Sequence, residues 1–158
     1  QSISPGFVSG AMFLLIGILY DRYHSRLLYY YGGLVHMMPV YAAFLLIFTM
    51  ANIALPGTSS FVGEFLLLLG IYKTNVMSAI VGALGVILCG AYSLWLYNRI
   101  IFGNLKTSFV VRFKDVNFLE FSILLPLLFF VLYMGVYPSF FSNFIHLSVC
   151  NLSLVTLY

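Results

Sequence analysis

The chain has 158 residues, of which 63% are hydrophobic and 7% are charged, and its mean hydropathy is +1.07. Soluble domains carry roughly 25% charged residues, so the composition excludes a soluble enzyme and predicts an integral membrane protein with about four or five spanning helices. The net charge of +3 is small and predicts no nucleic-acid surface, and Cys89 and Cys150 lack the spacing of a metal site or a disulfide framework.

The apolar runs predict an all-α transmembrane fold of about four spanning helices, at about residues 3–20, 35–72, 77–102 and 119–137. Together, residues 1–138 would form a transmembrane bundle. In the third span small residues recur at intervals of four, which predicts close approach of a neighbouring helix. This small-residue stripe consists of Ser78, Gly82, Val86 and Gly90. The tail, residues 139–158, mixes large apolar and polar residues, which favours an interfacial helix over a fifth span.

The second span is expected to be broken at Leu55, Pro56 and Gly57. Its apolar run would reach about 50 Å as one straight helix, against a hydrocarbon thickness of about 30 Å. Pro56 removes a backbone donor, and Gly57 allows the chain to leave helical geometry. Broken backbone survives at membrane depth where protein or trapped water satisfies its polar groups, so two half-helices beside an internal cavity are predicted.

Glu64 is the candidate functional residue, because the other three acidic residues (Asp21, Asp115 and Glu120) fall at predicted membrane edges. We expect Glu64 in about the first turn of the second half-helix, where exposed amides stabilise a negative charge. An intramembrane carboxylate indicates a proton pathway or relay, and the alternative is that it caps the half-helix or pairs with an arginine. The supporting residues of the broken helix are Pro56, Gly57, Thr58, Ser59, Ser60 and Gly63.

The hydroxyl groups of Thr58, Ser59 and Ser60 have two interpretations. They could join a hydrogen-bonded file of water, or they could satisfy the broken backbone. Arg99 likewise suits either an anchor at the membrane surface or a salt bridge, and the anchor is favoured. The three histidines are interpreted as ordinary interfacial or solvated residues. No phosphate loop, catalytic triad, haem ligand pair or flavin fingerprint is present in the sequence, and no redox chemistry is expected in this chain.

The basic residues indicate that the broken segment crosses the membrane. If it crosses, six basic residues lie on one side and only Lys73 lies opposite; the six are Arg22, Arg26, Arg99, Lys106, Arg112 and Lys114. If the segment were a re-entrant hairpin, the count would become three against four and the bias expected of cytoplasmic or matrix loops would be lost. The crossing places both chain ends, and Glu64 beyond the break, toward the outer side.

Several motifs along the chain are characteristic of one protein family; they lie at residues 19–26, 31–34, 55–65, 92–94, 98–99, 102–103 and 135–138. With these motifs the sequence resembles chain 4 of respiratory NADH:ubiquinone oxidoreductase (complex I), within the antiporter-like subunits. The likeness covers nearly the whole chain, and its specific part is the triplet Gly63, Glu64 and Phe65, because related antiporter-like subunits usually carry lysine near this glutamate.

The resemblance implies a proton-translocating membrane-arm subunit that couples NADH oxidation and ubiquinone reduction to proton pumping. Glu64 would then be a terminal proton-relay group toward the outer side. The resemblance also implies the mitochondrial inner membrane, basic loops on the matrix side, and contacts with lipids and other membrane-arm subunits. The chain itself would bind no cofactor, since NADH, FMN, iron–sulfur clusters and ubiquinone belong to other subunits of such a complex.

Two departures from the family pattern limit this reading. Pro5 stands where the family usually has a histidine, so one expected relay residue is absent. The helices that carry the family's buried lysines are also missing, so a second polypeptide with the N-terminal helices of the same subunit is expected, unless the chain is a fragment of a longer product. The alternative functions are a subunit of a cation/proton antiporter or membrane hydrogenase, and a structural scaffold fragment of the membrane arm.

Overall fold

A computed structural model of the chain describes residues 2–104, 114–143 and 146. Its helices are α1 (Ile3–Tyr23), α2 (Pro39–Asn52), α3 (Ser59–Thr74), α4 (Val76–Ile101) and α5 (Phe118–Val136), and two short 3-10 turns, Leu28–Tyr30 and Leu34–His36, lie between α1 and α2. No strand occurs within these ranges. The helical fold is therefore confirmed. Residues 138–143 are helical, and most of the predicted interfacial tail lies outside the described residues.

The ends of the helices follow from local chemistry. His24 adopts a left-handed conformation (φ 50°) after α1, and its N–H binds the Tyr20 carbonyl at 2.7 Å. Asn75 alone separates α3 from α4, and its side chain accepts a hydrogen bond from Met77 N at 3.0 Å, which caps α4. Asn117 and Glu120 form a reciprocal capping box at the start of α5.

The break in the second span is confirmed, and it is wider than the three residues named by the sequence. Helix α2 ends at Asn52 and α3 begins at Ser59. Between them Ala54 (φ 61°) and Gly57 (φ 97°) both adopt left-handed backbone conformations. Three helices, α1, α4 and α5, are long and apolar enough to cross a membrane, whereas α2 and α3 are shorter and form the broken element between them.

Contacts along α4 show that α2 and α3 run in the same direction. The Tyr97 hydroxyl reaches the Ala42 carbonyl at 3.4 Å, near the start of α2. About two turns earlier in α4, Gly90 faces Ile53 at the break, and about two turns before that Gly82 faces Leu68 in α3. Residue numbers thus fall along α4 as they rise through α2 and α3. This order excludes a hairpin folded back on itself, and it shows Gly82 and Gly90 of the small-residue stripe at close helix contacts.

The buried core lies mainly where α1 and α2 meet, with α4 and α5 closing its sides. Fully buried side chains include Leu15, Leu34, Met38, Tyr41, Phe48, Ile101 and Leu124. The outer faces of α3, α4 and α5 are largely exposed and apolar. Exposed apolar faces are stable in lipid, where association depends on close packing rather than on removal from water.

Candidate functional site at the broken helix

Glu64 lies one turn further along α3 than the sequence suggested. Helix α3 begins at Ser59, which makes Glu64 its sixth residue, and the first turn contains no acidic residue. The prediction of a first-turn carboxylate is therefore wrong. The field of a helix terminus falls off within the first turn, so the amides at the start of α3 contribute little to a charge on Glu64.

The Glu64 side chain is half-buried on the side of α3 that faces α4. It lies one turn before Leu68, whose Cδ2 faces Gly82, and residues four apart share a helix face. Within residues 2–104, 114–143 and 146, no hydrogen bond or ion pair engages its carboxylate. The sequence left open an ion pair between Glu64 and an arginine, but no arginine in that part of the chain forms one with it.

The three hydroxyl residues before Glu64 are buried, and two of them bind the backbone of the break. Thr58 Oγ1 donates to the Leu55 carbonyl at 2.7 Å, and Ser60 Oγ donates to the Ala51 carbonyl. Both carbonyls lie at the end of α2 or in the break, where the usual helical bond is replaced by one from a residue three positions later. Ala54 N donates to the Ala51 carbonyl and Thr58 N to the Leu55 carbonyl, so each hydroxyl adds a second hydrogen bond. The sequence left open whether these hydroxyls join a file of water or bind the broken backbone. The hydrogen bonds of Thr58 and Ser60 agree with binding to the backbone.

Ser59 differs from its two neighbours because it links the break to α1. The Ser4 hydroxyl donates to Ser59 Oγ at 2.7 Å, and both side chains are buried. Ser4 adjoins Pro5, the residue that stands where a histidine was expected. The first helix therefore still presents a polar group to the break, through a hydroxyl instead of an imidazole.

The backbone of the break also packs directly against α5. A Cβ added to Gly135 would overlap the Gly57 carbonyl group and the carbonyl carbon of Thr58. Gly57 itself has φ 97°, a conformation that favours glycine. Pro56 is exposed and Gly63 is half-buried. Helix α5 thus packs directly against the backbone that precedes α3 and Glu64.

A polar cluster at the other end of the bundle was not predicted from the sequence. Arg22 Nη2 lies 2.6 Å from Glu120 Oε2 and 3.1 Å from the Asp115 carbonyl oxygen, and Nη1 donates to the Lys114 carbonyl. The Asp115 carboxylate accepts hydrogen bonds from Val40 N at 3.2 Å and Tyr41 N at 3.3 Å. It therefore caps the first turn of α2.

The predicted topology contained the information from which this polar cluster could have been expected. The end of α1 and the starts of α2 and α5 were all expected on one side, and α2 has no capping side chain of its own. Arg99 at the same end is exposed and makes no ion pair with the residues described, as expected of an anchor. A search of the described residues finds no group of three His, Cys, Asp or Glu side chains that could hold a metal ion.

Comparison with known proteins gives consistent similarities. A family model described as NADH:quinone oxidoreductase/Mrp antiporter, TM, matches residues 1–89. NADH-ubiquinone oxidoreductase chain 4 of Marchantia polymorpha and that of Triticum aestivum are each 53% identical to this chain over 150 residues, or 95% of it. NADH-quinone oxidoreductase subunit M of Rhodobacter capsulatus is 49% identical over 152 residues, or 96% of the chain.

A solved structure supports the same relationship. One chain of respiratory complex I from Thermus thermophilus with bound NADH superposes with a TM-score of 0.79 and 36% identity, covering 85% of the present chain and 28% of that chain. The present chain spans 30% of the length of each of the three sequence relatives. Since the family model matches more than half of the chain and the fold agrees, the chain belongs to the transmembrane family of NADH:quinone oxidoreductase and Mrp antiporter subunits.

Proposed function

We propose that this chain is the C-terminal part of a proton-translocating membrane-arm subunit of respiratory complex I, equivalent to chain 4. In this role it would help to couple NADH oxidation and ubiquinone reduction to proton pumping. One observation carries the proposal: Glu64 is a half-buried carboxylate in α3, one turn beyond the backbone break, with no ion-pair partner in the described part of the chain. Such a residue can bind and release a proton without first breaking a salt bridge.

Glu64 acts in this proposal as a terminal relay group toward the outer side. The break supports this role because it interrupts the helix where Pro56 and Gly57 leave backbone groups to be satisfied by protein or water. The hydrogen bonds from the Thr58 and Ser60 hydroxyls to the carbonyls of residues 55 and 51 keep the break in one conformation. A fixed break lets Glu64 keep a constant position relative to α4 while its protonation state changes.

The proposed partners are a second polypeptide with the N-terminal helices of the same subunit, other membrane-arm subunits, and lipids. The chain spans 30% of the length of these relatives, so the remaining helices of the subunit would come from a second polypeptide or from the rest of a longer product. The proposed location is the mitochondrial inner membrane with the basic loops on the matrix side, supported by the six-to-one distribution of basic residues. NADH, FMN, iron–sulfur clusters and ubiquinone would be held by other subunits.

The substitution Glu64→Gln tests the relay, because it keeps the shape of the side chain and removes its titratable proton. We expect the complex to assemble in normal amount, and NADH-driven proton pumping in membrane vesicles to fall to a small fraction of wild type. Assembly is measured on native gels, and pumping is measured by quenching of a pH-sensitive dye.

Asp21→Asn is the matched control, since Asp21 is an exposed carboxylate at the end of α1 with no ion pair among the residues described. It should leave both assembly and pumping unchanged. Normal pumping in the Glu64→Gln complex would favour the scaffold function instead. Absence of NADH-oxidising subunits from the purified assembly would contradict the complex I assignment itself.

A further inference from the structure

A cavity of about 530 Å³ lies between α1, α2 and α4, away from the break and from Glu64. This volume is in the range of sites that enclose a small molecule or an acyl chain. Phe13 and Ile16, which are 75% and 53% exposed, stand at its rim, and Thr49 and Tyr97 belong to its inner wall. The cavity therefore opens sideways from α1, toward the surroundings of the bundle.

The wall of the cavity offers almost no free polar group. Tyr41 donates its hydroxyl to the Leu15 carbonyl, Tyr97 to the Ala42 carbonyl, and Thr49 to the Leu46 carbonyl. These polar atoms are already satisfied by the backbone, so only rings and methyl groups face the space between the helices. Between Tyr41 and Thr49 the wall extends about 12 Å along α2, at 1.5 Å per residue. The occupant of this part must be apolar and elongated.

One end of the cavity is different, because it carries a cation. Among the described residues, Arg26 is the only charged one that lines the cavity, and it follows α1 where the chain leaves the predicted span. Its guanidinium lies 5.1 Å from the centre of the Tyr20 ring and makes no ion pair with any residue in the described ranges. Contact with an aromatic face leaves the N–H donors of an arginine available to an anion. In contrast, nearby Arg22 is committed to Glu120.

Ser25 and Tyr31 complete this polar end. The Tyr31 hydroxyl donates to the Ser25 carbonyl at 2.7 Å, which ties the segment after α1 against the cavity. Burial raises the pKa of Tyr31 above its usual range, so the phenol stays neutral and adds no negative charge beside Arg26. The cavity thus has an apolar body and a positive end, at the level where lipid head groups lie.

We infer that the cavity between α1, α2 and α4 binds an anionic phospholipid, with one acyl chain against Tyr41, Thr49 and Tyr97 and the phosphate on Arg26. A planar guanidinium forms paired hydrogen bonds with phosphate oxygens, which fixes the head group as well as attracting it. A zwitterionic lipid would fill the same apolar body but would gain less at the positive end. The site therefore selects for head-group charge.

The test uses the full chain in its native membrane assembly, incubated in vesicles of phosphatidylcholine and phosphatidylglycerol. A trace of phosphatidylglycerol carries a photoactivatable diazirine in one acyl chain, and labelled peptides are located by mass spectrometry. We expect label on the cavity-lining parts of α1 and α2. The corresponding phosphatidylcholine probe should label these peptides about fivefold less, since a basic residue near an anionic lipid contributes about 1 kcal/mol.

Two substitutions with matched controls sharpen the test. Arg26→Gln should lower labelling by phosphatidylglycerol to the level of phosphatidylcholine, whereas Lys73→Gln, at the opposite end of the bundle, should not. Gly17→Phe should abolish labelling by both probes, because Gly17 lines the cavity and a side chain there meets no atom within 4 Å. Gly70→Phe, also in open space but on α3, should leave labelling intact.

The proposal is overturned if the two probes label the lining peptides equally in the wild-type assembly, which requires no variant to fold. It is also overturned if neither probe reaches these peptides, because the cavity is then closed by another helix of the assembly. Labelling that is specific for phosphatidylglycerol supports it, whatever Glu64→Gln does to pumping, so the lipid site and the proton relay stand or fall separately.

Discussion

At the scale of single residues, Arg22 and Glu64 show opposite ways of placing a charge in a membrane bundle. Arg22 donates to Glu120 and to two backbone carbonyls, so its charge is matched within the chain. Glu64 has no such partner among the residues described. An arginine paired in this way links two helices of the bundle. An unmatched carboxylate is available for proton exchange, or for a partner that the rest of the assembly supplies.

Arg22→Gln should destabilise the bundle by roughly 1.5–3 kcal/mol, the range for hydrogen bonds to charged groups. The side chains of Arg22 and Glu120 are only 15% and 25% exposed, so solvent screens their 2.6 Å contact weakly. The measurement is thermal denaturation of the purified assembly in detergent. Arg99→Gln, which removes an exposed arginine without an ion pair, is the control and should change stability by less than about 0.5 kcal/mol.

The double variant Arg22→Gln with Glu120→Gln separates the ion pair from other effects of the substitution. Removing both charges should cost less than the sum of the two single changes, because neither charge is then left unmatched. Strict additivity of the two losses would show that the pair makes no net contribution.

At the scale of helices, α5 and the break form a contact that permits no side chain on α5. Gly135 lies against the backbone of Gly57 and Thr58, so the break is held by close approach of two main chains. The same helix carries Pro126 in its interior, yet it continues from Phe118 to Val136. The position of α5 next to the break therefore depends on the absence of a side chain at Gly135.

Gly135→Ala should displace α5 from the break and lower stability by about 1–3 kcal/mol, as expected when a side chain is forced into a filled space. Gly85→Ala on α4 is the matched control, since a Cβ there meets no atom within 4 Å. It should be neutral or slightly stabilising, because alanine favours the helix over glycine. Assembly yield and melting temperature report both effects, and equal losses in the two variants would argue against the contact.

The sequence predicted the helices and the existence of the break, but not the start of α3. Three adjacent residues, Thr58, Ser59 and Ser60, are all good helix N-caps, and local pattern cannot choose between them. The helix begins after Thr58, the earliest of the three, which moved Glu64 into the second turn. The contact between Arg22 and Glu120 joins residues 98 positions apart. Such a pairing depends on how the helices pack together, and neither the local hydrophobic pattern nor the spacing of residues in the sequence predicts it.

At the scale of the whole chain, the exposed faces of α3 and α4 are as informative as the buried core. Leu67 on α3 is 51% exposed, and it lies three residues after Glu64, so the two side chains are neighbours on the helix surface. In the proposed subunit, a relay that continues beyond this chain needs further polar groups from neighbouring helices. We therefore expect the second polypeptide to pack on this face of α3.

Replacement of Leu67 by a photo-crosslinking amino acid should join the chain to that second polypeptide in the intact membrane. The same amino acid at Ile16, at the rim of the cavity between α1, α2 and α4, should form adducts with lipid instead. Gel electrophoresis and mass spectrometry distinguish the two products. Lipid adducts alone at Leu67 would place this face of α3 at the bilayer and contradict the expected interface.

The broken helix also has a consequence for how the chain enters the bilayer during synthesis. Helices α2 and α3 have 14 and 16 residues, or about 21 and 24 Å, and each falls short of a hydrocarbon layer about 30 Å thick. Neither half can therefore act as an independent insertion signal. An insertion machinery that tests segments one at a time must retain α2 until α3 has been translated. Helix α1, which is translated first and contacts both halves, is then already available to hold them in register, and α4 follows.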